Sequence, residues 1–273
     1  MTHGLGMIRA VLFDLDGTLV ETEELKGLSY ARAAVALRPE LDGREVEAAY
    51  RELVGRSREE VVATLAERFA LAGPAAAYTA ELGVATPQEA FALLRLRIYE
   101  SMLADRALIR RQEYPYATAL LRRLRRDGYP IGVATMSHGP HARPVLAALD
   151  LLGDVDVLVT RDEVRRPKPD PEIYALAAAR LGVAPAECLV VEDSPPGVQS
   201  ALAAGMACVA ATTALTRDAV HAARLLPPER VVDDPQRLAA VVLALLDAGA
   251  PVRAGGGAGG GRGTQHENAS EGA

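Results

Sequence analysis

The chain has 273 residues, 49% of them hydrophobic, enough for one or two domains with a real core. Its formal net charge of -6 excludes a broad basic surface for nucleic acid or for an anionic membrane. Two cysteines, Cys188 and Cys208, cannot build a disulfide framework, and residues 1–10 lack the apolar stretch and cleavage site of a secretory signal, so a cytoplasmic protein is expected.

The first predicted strand, Ala10–Phe13, runs straight into Asp14 and Asp16. Two carboxylates one residue apart repel each other and resist leaving water, so a cation or a chemical purpose is expected beside them. Residues 21–110 then show helical periodicity with Ala/Glu/Arg-rich faces and no convincing strand. Loops are expected at 39–43, 73–74 and 83–87. Within this stretch, "LVGRSREEV" carries Ser57 and Glu60 at capping-box spacing, which predicts a helix start beside Arg56 and Arg58.

After residue 110 the rhythm changes to short apolar runs alternating with helical patterns. Strands are predicted at Ile131–Ala134, Val157–Val159, 188–191, 208–210 and Val231–Val232. Helices are predicted at 117–126, 144–149, 171–181, 197–204, 218–225 and 235–246. Such alternation implies βαβ units and a parallel sheet covered on both faces: an α/β, Rossmann-like core with an all-helical domain inserted after its first strand. The core is expected over 1–20 and 111–250, and the insert over 21–110. The uncharged run 194–216 opens with Pro195, Pro196 and Gly197 and is broken by Gly205. It reads as a helix followed by a strand, not a membrane span. Residues 251–273 are Gly-rich without periodicity and are expected to be disordered.

Four segments place polar residues just past a strand's C-terminal end, where open α/β sheets bind ligands. They are Asp14-Leu15-Asp16-Gly17-Thr18; Thr135 with Ser137; Lys168 between Pro167 and Pro169; and Glu192-Asp193. Read separately, each has an ordinary explanation: an Asp-Gly turn, a hydroxyl closing a turn, a basic loop, and an N-cap by Asp193 or Ser194. Together, Asp14, Asp16 and Asp193, with Glu192, could enclose a hard cation such as Mg²⁺, which favours oxygen ligands and shares its shell with substrate phosphate. Lys168 and Thr135 would then neutralise and orient phosphoryl oxygens. Of 30 basic residues only Lys26 and Lys168 are lysines, which singles out both. Lys26 is expected to pair with Glu23, to bind a substrate anion, or to face water. His138 and His141 are expected in a loop beyond Thr135.

In their order these segments resemble the four motifs of the haloacid dehalogenase-like (HAD) hydrolase superfamily, over roughly residues 8–249. The stretch "RPKPDPEIYALAAARLGVAPAECLVVEDSPPGVQSALAAGM" resembles the branch containing β-phosphoglucomutase and sugar-phosphate phosphatases. The helical insert is similar to that family's cap. The resemblance implies a Mg²⁺-dependent phosphatase acting on a small phosphorylated metabolite through an aspartyl-phosphate. A phosphohexomutase of the β-phosphoglucomutase kind is the alternative. It implies Asp14 as nucleophile, Asp16 as general acid/base, and Thr135, Ser137 and Lys168 on the phosphoryl group. The metal would be held by Asp14, the Asp16 carbonyl and Asp193, with Glu192 assisting. Arg58 in the cap loop and Lys26 would contact substrate. Lys26 stands where a His is expected in the mutases, and Thr18 fits the phosphatase form of the first motif better.

Overall fold

Six strands form one parallel sheet in the order β3-β2-β1-β4-β5-β6. They are β1 Ala10–Phe13, β2 Ile131–Ala134, β3 Val157–Val159, β4 Cys188–Glu192, β5 Ala207–Ala211 and β6 Val231–Val232. The structure is a computed structural model and describes residues 7–248. The readings made for 251–273 and for the first six residues lie outside the described residues.

The strands read as unbroken apolar runs because both faces of the sheet are covered. Val11 and Phe13 of β1, with Leu189 and Val191 of β4, enter one apolar cluster. Ala10 and Leu12, with Cys188 and Val190, enter the opposite one. β1 lies between β2 and β4, with Phe13 beside Val133 on one side and Val191 on the other. The strand order reverses here, so the C-terminal ends of β1, β2 and β4 open onto one crevice.

Between β1 and β2 lie α1 Thr22–Leu37, α2 Gly43–Arg51, α3 Arg58–Arg68, α4 Ala72–Ala76, α5 Thr79–Leu82, α6 Pro87–Leu103, α7 Arg106–Arg111 and α8 Pro115–Arg126. The first six share an apolar cluster of their own, with Tyr30, Val46, Tyr50, Leu65 and Phe91 buried in it. Leu25, Tyr99, Met102 and Ile109 instead pack into the sheet's cluster and tie both ends of the insert to the core. A single bridge, Val20 to Glu113, joins the two connecting segments. The remaining helices alternate with the strands: α9 Gly139–Ala148, α10 Glu172–Leu181, α11 Pro195–Ala203, α12 Arg217–Ala223 and α13 Leu238–Ala248.

Two local expectations are corrected. Gly73 and Pro74 lie inside α4, not in a loop, because Pro is tolerated in a helix's first turn. α9 starts at Gly139, five residues before the predicted 144; Pro140 supplies the start signal, and Pro144 is accommodated inside the helix at the loss of one hydrogen bond. His141 is therefore helical and His138 is the N-cap residue. Run 194–216 resolves into α11 and β5, and among the described residues no helix is long and apolar enough to cross a membrane.

Candidate active site

The four strand-end segments meet. β1 hands its last bond to β4 through the Asp14 amide, which donates to the Val191 carbonyl at 3.0 Å. Asp14 thus stands beside Glu192 and Asp193 at the sheet's rim. Lys168 comes from the segment before α10 and buries its ammonium between them. It lies 2.6 Å from Asp14 Oδ1 and 2.7 Å from Glu192 Oε1, and also donates to the Ala134 carbonyl and the Tyr174 hydroxyl, both at 3.1 Å. Burial opposes its charge, but Asp14 and Glu192 outweigh that and hold Lys168 protonated well past its ordinary range.

Glu192 is fully engaged. Oε1 accepts from Lys168 and, at 3.1 Å, from Tyr174. Oε2 accepts from the amides of Asp193 and Ser194 and from the Ser194 hydroxyl, at 2.8, 2.9 and 3.0 Å. Gly197 makes room for this carboxylate, since a Cβ there would overlap it. No acceptor position remains for a cation, so the direct ligand role expected of Glu192 does not fit; the side chain fixes Lys168 instead. Burial would raise its pKa, yet Lys168 and the two amides pull it below the usual range.

Asp193 behaves oppositely. The N-cap of α11 is Ser194, whose hydroxyl accepts from the Gly197 amide at 3.3 Å. That frees Asp193, and among the described residues no donor reaches its buried carboxylate. Burial, then the charges of Glu192 and Asp14, push its pKa well above normal despite Lys168. The carboxylate packs onto Gly17, where any Cβ would overlap it and where φ is +87°. The glycine of the first motif is the cradle that lets Asp193 approach the nucleophile loop.

Burial raises Asp14 to about 8, with Lys168 opposing and Glu192 and Asp16 adding to the rise. Ionised together, Asp14, Glu192 and Asp193 would set three negative charges against the single ammonium of Lys168, an excess of two that a divalent cation would offset. Among the described residues no three His, Cys, Asp or Glu side chains form a cage by themselves. The carboxylates of Asp14 and Asp193 are the oxygen donors here that could hold a cation, with the Asp16 carbonyl the third donor that the resemblance implies. Hard oxygen donors and an excess of two negative charges match Mg²⁺, which takes its other ligands from water and phosphate.

Asp16 is held apart from this cluster by hydroxyls. Oδ1 accepts from Thr22 at 2.5 Å, and Oδ2 from Thr135 at 2.7 Å and Ser137 at 2.8 Å. Burial would raise its pKa, but Lys26, 4.0 Å away, and the three hydroxyls outweigh it and favour the carboxylate. Thr135 and Ser137, expected on the phosphoryl group, here give their protons to Asp16. Lys26 itself pairs with Glu23 at 2.6 Å, and Tyr50 donates to the other Glu23 oxygen at 2.6 Å.

Two cavities flank the site. One of about 320 Å³ is lined by Lys26, Arg56, Arg58, Arg95, Ser137, His138 and His141, with Glu23 its one carboxylate. A larger one of about 590 Å³ borders Gly17 and Thr18, but six carboxylates face it (Glu21, Glu23, Glu24, Glu47, Glu113, Asp233) against three guanidiniums (Arg51, Arg111, Arg217). A dianionic phosphoester is repelled by the second and drawn to the first. Arg58 is exposed at the start of α3, behind the capping box of Ser57 and Glu60, where Ser57 Oγ accepts at 3.2 Å and Glu60 accepts at 3.0 Å. His138 pairs with Asp162 at 2.5 Å and His141 with Glu100 at 3.3 Å.

The site's supporting residues that the sequence did not single out are Tyr174, Thr22 and Arg95. Tyr174 follows Lys168 by six residues, and Thr22 follows Asp16 by six, spacings that carry no signal until the loops are folded. Arg95 is different: it interrupts the apolar stripe of α6, between Phe91 and Tyr99, at four-residue spacing.

The family model for haloacid dehalogenase-like hydrolases matches residues 8–205. A validoxylamine A 7'-phosphate phosphatase of Streptomyces hygroscopicus subsp. limoneus is 32% identical over 226 residues, covering 81% of this chain and 93% of its own. A β-phosphoglucomutase of Bacillus subtilis is 30% identical over 199 residues, covering 73% of this chain and 81% of its own. Among solved structures, CbbY from Rhodobacter sphaeroides in complex with phosphate superposes with a TM-score of 0.62 at 27% identity, covering 88% of this chain and all of that one (100%).

Proposed function

The chain belongs to the haloacid dehalogenase-like hydrolase family and is a phosphoric monoester hydrolase, and we propose that it hydrolyses a small metabolite phosphate of the sugar-phosphate kind, through an aspartyl-phosphate on Asp14 and with Mg²⁺ as cofactor. The observation that carries this reading is the buried ammonium of Lys168, 2.6 Å from Asp14 Oδ1 and 2.7 Å from Glu192. It orients the nucleophile and offers positive charge where phosphoryl oxygens gather.

The cation, held by Asp14, Asp193 and the Asp16 carbonyl, would supply Lewis-acid charge against the phosphoryl oxygens. The Asp14 oxygen not bonded to Lys168 attacks phosphorus; the bond from phosphorus to the leaving oxygen breaks, and that oxygen takes a proton from Asp16. Asp16 then takes a proton from water, whose oxygen attacks phosphorus, releasing phosphate and restoring Asp14. As the phosphoryl group enters, Thr135 and Ser137 can turn their protons from Asp16 to its oxygens. Asp16 thereby loses two bonds that favour its carboxylate and can carry the proton the leaving oxygen needs. Residues 21–110 act as a cap whose basic cavity holds the rest of the substrate. Cytoplasmic placement accords with two free, buried thiols.

The test is phosphate release from a few dozen phosphorylated metabolites, with and without Mg²⁺. We expect Mg²⁺-dependent release by the native chain and none by Asp14→Asn, whose circular dichroism should match the native spectrum. Near-native turnover by that variant would remove Asp14 from its role. A mutase, the activity named for the Bacillus subtilis relative, would instead interconvert sugar phosphates with little free phosphate.

A further inference from the structure

We propose that the substrate carries a second oxyanion, a carboxylate or a second phosphate, and that Arg95 receives it. This deepens the phosphatase reading above and rests on it, because it names the substrate class of the same cleft.

Arg95 is 6% exposed, inside α6. Its guanidinium carbon lies 4.6 Å from the centre of the Tyr30 ring and 4.8 Å from that of Tyr99. The ring faces attract the cation but satisfy none of its five N–H donors in the way a carboxylate would. Nε is buried without a hydrogen-bond partner. Among the described residues no carboxylate lies within ion-pair distance of the side chain. The nearby acid that lines the same cavity, Glu23, is already spent on Lys26 and Tyr50. A buried lysine in such a place could shed its proton; a guanidinium cannot, so the uncompensated charge persists in the folded chain.

A buried cation left unpaired by its own fold, at the wall of a cavity, is matched by an anion that comes from outside. The cavity adds three more cations, Lys26, Arg56 and Arg58, against Glu23, so that with Arg95 its lysine and arginines outnumber its one carboxylate by three. At about 320 Å³ it stands at the small end of ligand cavities, suited to a small metabolite. Ser137 lines it too, and donates to Asp16 at 2.8 Å. The same cavity therefore reaches both a residue bonded to Asp16 and the buried Arg95. A phosphoester with an oxyanion at its far end spans the two.

The experiment compares phosphate release by the full chain, in Mg²⁺, from pairs differing only at the far end: 3-carboxypropyl phosphate against 4-hydroxybutyl phosphate, and a hexose 1,6-bisphosphate against the hexose 6-phosphate. We expect kcat/KM to favour the doubly anionic member of at least one pair by roughly 10- to 100-fold, the worth of a charge-assisted hydrogen bond or two. The pair showing the larger preference distinguishes carboxylate from phosphate. Arg95→Met should erase the preference, Arg95→Lys should restore part of it, and Arg58→Gln, on the exposed edge of the cavity, should weaken it without threatening the fold. Thermal unfolding supplies the readout a merely structural arginine would move the other way. Replacing an unpaired buried cation by an apolar side chain of similar length should leave Tm equal or higher. Equal turnover of both members of each pair, or an unchanged ratio in Arg95→Met, overturns the proposal while leaving the phosphatase reading intact. No phosphate from any ester would sink that reading itself.

Discussion

Replacing Lys168 by Met removes the one cation that two buried carboxylates share, and the structure sets how much that costs. Asp14 and Glu192 each lose a bond of 2.6–2.7 Å to the ammonium. Breaking a buried pair by deleting one partner typically costs about 3–5 kcal/mol, because a bare charge is left behind. The carboxylates have an escape, which is to take up protons. Protonating Glu192 from its ordinary value of 4.5 costs about 1.4 kcal/mol per pH unit, hence about 3.4 kcal/mol at pH 7 and about 0.7 kcal/mol at pH 5. The sign follows from linkage. In the native chain Lys168 depresses the pKa of Glu192, so its stabilisation is present above the unfolded value and lost as pH falls through the folded one. In the variant the depression is gone and stability falls as pH rises. The destabilisation by Lys168→Met should therefore grow from about 1 kcal/mol at pH 5 to about 3 kcal/mol at pH 7. The assay is guanidinium unfolding in EDTA at both pH values, with Glu192→Gln and the double variant completing a cycle. Glu192→Gln should recover most of the loss at pH 7. A cost that does not change with pH, or a double variant no more stable than Lys168→Met, would refute the triad as the centre of this site's electrostatics.

Gly17→Ala places a methyl where the Asp193 carboxylate sits, on a backbone with φ of +87°. We expect a stability loss of about 1–2 kcal/mol from the strain and a fall in activity of at least about 100-fold, since misplacing a ligating group by about 1 Å costs that much; titration calorimetry should show weakened Mg²⁺ binding, and unaltered affinity would be incompatible with Asp193 as a ligand. Burial pushes the Cys188 thiol up to about 11 and holds Cys208 well above the ordinary thiol range. At pH 8 about one Cys188 in a thousand is thiolate, so a disulfide-exchange reagent should label neither cysteine until the chain is unfolded, when both react; rapid native labelling would contradict the packing of β4 and β5.

The sheet was legible because its strands are buried on both faces. An apolar run that stops at a polar side chain marks a strand end whatever the rest of the chain does: β1 and β4 stop at carboxylates and β2 at the Thr135 hydroxyl. The convergence of Asp14, Lys168 and Asp193 was legible for the same reason: parallel strands deliver their C-terminal ends to one rim. The direction in which each side chain points was not. Whether Glu192 or Asp193 is left free to face a cation depends on which residue caps α11, and both Asp193 and Ser194 are good caps on sequence grounds. The choice of Ser194 is made by the turn that lets Glu192 take two main-chain amides. In the same way the sequence put Thr135 and Ser137 at the right rim without revealing their bonds to Asp16, because a hydroxyl donates to the nearest strong acceptor, and Asp16 comes close only through the fold. Arg95 shows the other limit. Its position on the Phe91–Tyr99 stripe predicts burial, and burial of an arginine predicts a carboxylate to meet it. Only the folded chain reveals that the one acid within the cavity is already bound to Lys26 and Tyr50. It is this prior engagement of Glu23, rather than any feature of Arg95 alone, that turns a buried arginine into a place for an anion from solution.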